Sequence, residues 1–396
     1  MSKGGGRKDQ TERDQPALRN LIVRNRLPAN DLPIRKEPGM KYIKTTEAAG
    51  HVLCHDVTQI LPGKFKGPAF KKGHIIKEED IPVLLSIGKE NLYVWEKTEG
   101  ILHEDEAAVV LRDLAMGAYM SAGEPSEGKI ELKALRDGLF KVNRQALLTI
   151  NATPQMMIAT RFGDTPVKAG DRLAGTRIIP LTIEKSRMED VVRRTREVTG
   201  GKPVLTLKPY AHKKVGIVTT GSEVYHGRIR DQFTPVLLRK LEEYDTELIG
   251  HEITDDNDRM TTGAIRKLLD AGADVVLCTG GMSVDPDDRT PLAIRNTGAN
   301  IVTYGAPVLP GAMFLLSYLS GENAPEGCED ACPRVICGLP GCVMYAKRTI
   351  FDLLLPRIMA DDPIRAEEIH ALGEGGLCLG CETCTYPACG FGKGRA

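Results

Sequence analysis

Short runs of apolar or β-branched residues at 215–218, 275–278 and 335–337 are each followed by a glycine-bearing turn. The turns are Thr219-Thr220-Gly221-Ser222-Glu223, Thr279-Gly280-Gly281-Met282-Ser283 and Gly338-Leu339-Pro340-Gly341. Brief, unbroken apolar runs suit strands that are buried on both faces of a parallel sheet. Between the first two, residues 257–271 place Met260, Ala264, Ile265, Leu268 and Leu269 on one helical face and stop at Gly272, where a C-terminal glycine belongs. A second helix is predicted within 230–244, where Phe233, Leu237, Leu241 and Tyr244 recur at spacings of three and four. Its start is open between a cap at Asp231 and a cap at Thr234 with Pro235 at the first helical position. With a strand over 246–253, the order from 214 to 279 is strand, helix, strand, helix, strand, which predicts a right-handed doubly wound domain.

The carboxyl ends of the strands in such a sheet form the ligand crevice, and glycine lets the backbone come close to a ligand there. Thr220, Gly221, Ser222, Glu223, Gly280, Gly281, Ser283, Pro340 and Gly341 are therefore the candidate binding residues. Asp285, Asp287 and Asp288 follow the second turn and supply carboxylates suited to a hard cation or to the donor edge of a heterocycle. The structural alternative is that these acids only cap the helix starting near Thr290-Pro291, and that Ser222 and Glu223 are ordinary turn residues.

Residues 213 to about 359 resemble the pterin-binding domain shared by molybdopterin molybdenumtransferases and molybdopterin adenylyltransferases. The resemblance rests on Thr219 to Glu223, on Gly280-Gly281-Met282-Ser283-Val284 with the acidic run after it, on Pro310-Gly311, and on Gly338 to Gly341. It implies molybdopterin or its adenylated form as ligand, molybdate as co-substrate, and Mg²⁺ held by Asp285, Asp287 and Asp288, with insertion of molybdate and release of AMP. It also implies a homodimer. The fold class expected is α/β: a doubly wound three-layer pterin-binding domain with an N-terminal β-rich region and a short cysteine-rich tail. Three departures shift weight from metal transfer towards binding. Asp285-Pro286-Asp287-Asp288 stands where the transferases carry Gly-Asp-x-Asp, Cys342 replaces an Asn, and Lys64-Phe65-Lys66-Gly67-Pro68 occupies the place of an Asp-Gly-Tyr-Ala segment.

The 396 residues are enough for several domains, and the expected segments are 1–39, 40–99, 100–205, 210–360 and 361–396. The first is polar, with nine Lys and Arg against five Asp and Glu up to Pro38, and is expected to be disordered, with Met40 as an alternative natural start. The second reads as a small α+β unit with a helix near 78–87 and a strand over 91–96. In it His51, Cys54 and His55 are expected in structural roles rather than at a metal. The third opens with a helix expected over 104–122 and continues as short β runs, with Thr160 and Arg161 open to a ligand, or Arg161 to a surface ion pair at its strand end. Overall, 53 basic residues balance 53 acidic ones, which removes the electrostatic case for nucleic acid or a membrane surface as partner. No apolar stretch reaches the ~20 residues of a bilayer span, and no secretory signal is evident, so the expected location is cytoplasmic.

Beyond Pro363 the composition changes, and Cys378, Cys381, Cys384 and Cys389 fall within twelve residues among glycines. Reduced thiols are expected in the absence of an export signal. The spacing is that of a metal site on an otherwise coreless tail, open to a structural Zn²⁺ or to an iron–sulfur cluster. If the chain only binds pterin, it reads instead as a carrier or sensor serving a recipient molybdenum or tungsten enzyme.

Overall fold

The computed structural model describes residues 40–61, 65–95, 99–283, 285, 288–319 and 333–394. The extension at 1–39, Asp287, Cys328 and Cys332 lie outside them. Contacts group the chain into two compact units, one of Met1–Glu104 with Ile179–Arg187, the other of Asp105–Ile178 with Met188–Ala396.

In the first unit Met40–Lys44 pairs antiparallel with Asn91–Trp95, Val57–Leu61 with Phe65–Phe70, and Ile101–His103 with Thr182–Glu184. Alternation in Asn91–Trp95 sends Leu92 and Val94 inward, where they meet Ile43, Leu53, Val57, Ile76 and Leu84. The helix Ile81–Ser86 starts with proline in its first turn and is followed by Gly88 at φ +80°. Cys54 is buried, and its thiol donates to the Tyr93 carbonyl.

The second unit is built on a six-stranded sheet ordered Thr246–Thr254, Lys213–Thr220, Val275–Thr279, Arg334–Leu339, Leu315–Leu319, Asn300–Tyr304. Its first three pairings are parallel and its last two antiparallel. The parallel order expected from the apolar runs thus covers four strands. Leu315–Leu319 returns through a loop at 305–314 instead of a helical crossover, and so runs the other way. Side-chain alternation separates two cores. Val215, Ile217, Val275, Leu277, Val335 and Cys337 face the helices Phe233–Leu241 and Ile350–Met359. Val218, Val276, Cys278 and Ile336 face Asp258–Asp270 and Thr290–Asn296. This is the doubly wound, three-layer α/β arrangement.

The caps follow the local sequence. Asn257 accepts from the Met260 N–H at 3.0 Å to start Asp258–Asp270, and Gly272 at φ +94° follows its end. Phe233–Leu241 starts from Gln232, which gives no side-chain cap, so neither expected cap holds; Asp231, one residue earlier, accepts from the N–H groups of Phe233 and Thr234. The helix expected over 104–122 ends at Ala115. At Gly117 the chain passes so near the strand Leu205–Pro209 that a Cβ would lie 2.4 Å from the Leu205 carbonyl oxygen, and Met120–Ala122 then pairs with Lys129–Ala134. Arg161, near the end of the strand Met156–Thr160, forms the ion pair open to it in that position, with Asp171 at 2.7 Å.

The tail is not coreless. Ile364, Ile369 and Phe391 are buried in the same core as Ile350–Met359, and the Tyr386 hydroxyl donates to the Asp352 carbonyl at 3.1 Å. At the end of that helix, Asp362 accepts from Lys141 at 2.6 Å, Lys208 at 2.8 Å and Arg357 at 2.7 Å, joining the strands Gly138–Val142 and Leu205–Pro209 to the C-terminal segment. Burial pushes the Asp362 carboxyl up, but the Lys141, Lys208 and Arg357 cations outweigh it and hold the pKa at about 2.

Because this pKa lies below the unfolded carboxylate value of ~3.9, the cluster stabilises fully above that value, and the contribution is lost as pH falls through about 2. Asp362→Asn is predicted to cost on the order of 3 kcal/mol at neutral pH, as expected when one partner of a buried ion pair is removed. Denaturant unfolding at a series of pH values checks this: between pH 4 and 2 the variant should lose less stability than the parent, as its amide does not titrate.

Candidate functional site

The register places the three turns side by side. Thr219 pairs with Thr279 and Thr279 with Leu339, while Thr220 pairs with Thr254. Gly221, Gly280 and Pro340 therefore leave the sheet from one level of its carboxyl edge. The 305–314 loop joins them, because Asn300–Tyr304 ends and Leu315–Leu319 begins on that same edge.

The second turn requires its glycines. Gly280 has φ +79°, and a Cβ on it would lie 2.2 Å from the Thr220 carbonyl oxygen. Gly281 has φ +56°, and its Cβ would lie 2.7 Å from the Thr290 hydroxyl. Thr220 is buried and its hydroxyl donates to the Thr279 carbonyl at 3.0 Å, while the Thr290 hydroxyl donates to the Gly280 carbonyl at 2.9 Å. Thr220, expected to touch a ligand, thus braces one turn against the next. Pro340 is buried as well, whereas Gly341 is exposed and a Cβ there would meet no protein atom.

Ser283 and Asp285 are exposed, and Glu223 is exposed beside Gly221. The Asp288 carboxylate accepts from the Ser283 N–H at 2.8 Å through one oxygen, and the Asp288 N–H donates to the Asp285 carbonyl. The helix Thr290–Asn296 has no side-chain cap at its start. Asp288 therefore closes the 283–288 loop rather than capping that helix. Tyr304 donates its hydroxyl to the Met282 and Ser283 carbonyls, each at 3.3 Å, from the other side. The hydroxyl of Thr279, at the centre of the edge, is buried with no hydrogen-bond partner among the described residues.

Sequence reasoning missed the acids on the neighbouring strand. Asp255 and Asp256 follow Thr246–Thr254 directly, at the carboxyl end, and that position was the available signal. The Ser222 hydroxyl donates to Asp255, the Ser222 N–H donates to Asp256 at 2.9 Å, and His226 Nε2 lies 3.5 Å from Asp255. The Ser222 hydroxyl and the Asp256 N–H hold the Asp255 carboxyl below its ordinary pKa. Behind them the Thr219 hydroxyl lies 3.0 Å from His251 Nε2 and donates to Asp231 at 3.2 Å. Burial raises the Asp231 pKa, but the Thr234 hydroxyl and the N–H groups of Phe233 and Thr234 outweigh it and lower it below the ordinary carboxylate value. Among the described residues no three His, Cys, Asp or Glu side chains converge on a single metal position.

Residues 216–360 match the family described as a probable molybdopterin binding domain, and residues 42–96 match a domain of unknown function. A CinA-like protein of Mycobacterium avium is 35% identical over 110 residues, covering 28% of this chain and 25% of that protein. A CinA-like protein of Mycobacterium leprae is 34% identical over 77 residues, covering 19% and 18%. The chain thus spans about a quarter or less of the length of the curated relatives it matches. Among solved structures, the tungsten cofactor synthesizing protein MoaB from Pyrococcus furiosus matches at 19% identity and a TM-score of 0.28, over 33% of this chain and 84% of that one. The protein CinA from Thermoplasma acidophilum matches at 15% and 0.30, over 37% and 98%.

Gly280→Ala is predicted to destabilise the second unit by about 1–3 kcal/mol, because a Cβ and a positive φ are both refused at that position. Gly341→Ala, where the space is open, should stay within about 0.5 kcal/mol of the parent. Paired chemical denaturation curves measure both, and equal losses in the two variants would refute the steric argument.

Proposed function

Since residues 216–360 form a molybdopterin-binding domain of the molybdenum cofactor biosynthesis superfamily, we propose that this protein binds molybdopterin, or its adenylated form, at the carboxyl edge of the six-stranded sheet and inserts molybdate with release of AMP. The observation that carries the reading is the alignment of the three turns at one level of the sheet, with exposed Ser283, Asp285, Glu223 and Gly341 around them.

In this reading the Gly280-Gly281 turn brings the backbone against the ligand, and Asp288 holds the Ser283 loop in place through the Ser283 N–H. The second oxygen of Asp288, with Asp285, receives amino and ring N–H donors of a pterin edge. Ser222 is oriented by Asp255 and Asp256, and with Glu223 it positions the pterin phosphate. Mg²⁺ takes one or two carboxylates and completes its shell with water and phosphate oxygens. A set of acids that does not converge by itself among the described residues is compatible with that ion. Such a cation neutralises the oxyanions in transfer, and Asp285, Asp287 and Asp288 are the groups placed in sequence to hold it.

A second reading, a carrier that holds molybdopterin without turnover, is favoured by Cys342 and by Lys64 to Pro68 at positions where the transferases carry other residues. It would deliver its pterin to a molybdenum or tungsten enzyme. Incubation with adenylated molybdopterin, Mg²⁺ and molybdate separates the two: AMP release that depends on molybdate supports the transferase, and tight binding without AMP supports the carrier. In either case Asp288→Ala should weaken pterin affinity at least about tenfold, as expected on losing a charge-assisted contact, with an unchanged far-ultraviolet circular dichroism spectrum. Unaltered affinity in a folded variant would remove Asp288 from the site.

A further inference from the structure

The four tail cysteines line one cavity of about 420 Å³. Cys378 and Cys389 are half-buried and Cys381 and Cys384 exposed, and these four are thiols outside any disulfide. The loop that carries them is fixed at both ends and in the middle. At its start the Leu309 N–H donates to the Gly376 carbonyl and the Cys378 N–H to the Leu309 carbonyl, each at 2.8 Å. In its middle Tyr386 lies under the Arg348 guanidinium at 5.2 Å and donates its hydroxyl to the Asp352 carbonyl. At its end Phe391 is 5% exposed, and Gly392 passes so close to Leu353 that a Cβ would lie 2.5 Å from its Cδ2. Glycines 375, 380 and 392 adopt φ of +84°, +64° and +73°, which lets the loop wrap around the space.

Two occupants suit four thiolates at this spacing, and the cavity wall bears on the choice. A structural zinc draws its sulfurs to about 2.3 Å from a single centre, so a preformed zinc site brings its thiols together at one point. Here all four cysteines line the same cavity. A cube of four irons and four sulfides offers four separate iron corners, each taking one thiolate, and holds its ligands farther apart than one ion does. Such a cluster with four thiolates is anionic, and the cavity wall carries Lys347 and Arg348. Lys347 Nζ donates to the Cys381 and Glu382 carbonyls and so sits on the cysteine loop itself. Pro310, Leu377 and Phe391 give the wall an apolar part that limits water.

We propose that this cavity is the site of a [4Fe–4S] cluster ligated by Cys378, Cys381, Cys384 and Cys389. Pro310, in the 305–314 loop at the carboxyl edge of the sheet, forms part of its wall. The assignment is independent of whether that edge turns over its ligand.

The test is metal and sulfide analysis of the full chain, expressed with added iron and purified without oxygen, then reconstituted with ferrous iron and sulfide. The expected result is about four iron and four sulfide per chain, with broad visible absorption that bleaches on reduction by dithionite and a paramagnetic signal in the reduced state. Cys381→Ser together with Cys384→Ser should abolish iron, sulfide and colour while leaving the far-ultraviolet circular dichroism spectrum unchanged. Cys342→Ser, a half-buried thiol outside the cavity wall, should retain all of them. Stoichiometric zinc without sulfide, a chain that takes up neither metal after reconstitution, or a cluster that survives in the double variant would each overturn the assignment.

Discussion

The second unit depends on one helix that is buried along its whole length. All ten residues of Ile350–Met359 are buried, including Asp352 and Arg357, so its two charges must be paired inside the protein. Asp352 caps its own helix through the Thr349 N–H at 2.7 Å and accepts from Lys240 at 2.6 Å and Arg348 at 3.1 Å. Arg357 bridges to Asp362, which also binds Lys141 and Lys208. Through these contacts the helix joins the sheet, the helix Phe233–Leu241, the strands Gly138–Val142 and Leu205–Pro209, and the cysteine tail. Its apolar residues supply the burial, and its two charges fix which neighbours can dock against it.

The candidate site follows from that frame. Strand register brings three turns to one edge, and the packing of Thr220, Thr279 and Thr290 holds them at fixed spacing. The glycines at 280 and 281 give the turn its close approach to the neighbouring strand. Outside this brace lie the exposed Ser283, Asp285 and Glu223, and the hydrogen-bonded Ser222, Asp255 and Asp256 group. An edge braced in this way suits the binding of a rigid heterocycle, because little ordering remains to oppose association.

The tail shows how packing changes the meaning of a motif. Four thiols in a short glycine-rich stretch could belong to an independent appendage, but here Tyr386 and Phe391 anchor the loop to the buried helix and its start is hydrogen-bonded to Leu309. The cysteines are thereby presented around a cavity whose wall includes residues just beyond the third turn.

The strands, the crossover helices and the glycine turns of the sheet were legible in the sequence, because apolar runs, 3.6-residue periodicity and turn chemistry are local properties of the chain. The same holds for the cap at Asn257 and the stop at Gly272. What the sequence left undecided depends on contacts between distant residues. The end of the helix at Ala115 rests on a close approach between Gly117 and Leu205, and the start of Phe233–Leu241 ahead of Thr234 accompanies contacts from Asp231 to Thr219 and His251. The antiparallel strand Leu315–Leu319 carries the same apolar pattern as its parallel neighbours, so only its connection reveals its direction. Asp255 and Asp256 entered the site through the pairing of Thr220 with Thr254, and Thr220 became a brace through its bond to the Thr279 carbonyl. Side-chain chemistry was readable from the order of the residues; which groups face a ligand and which face each other was set by the register of strands far apart in the chain.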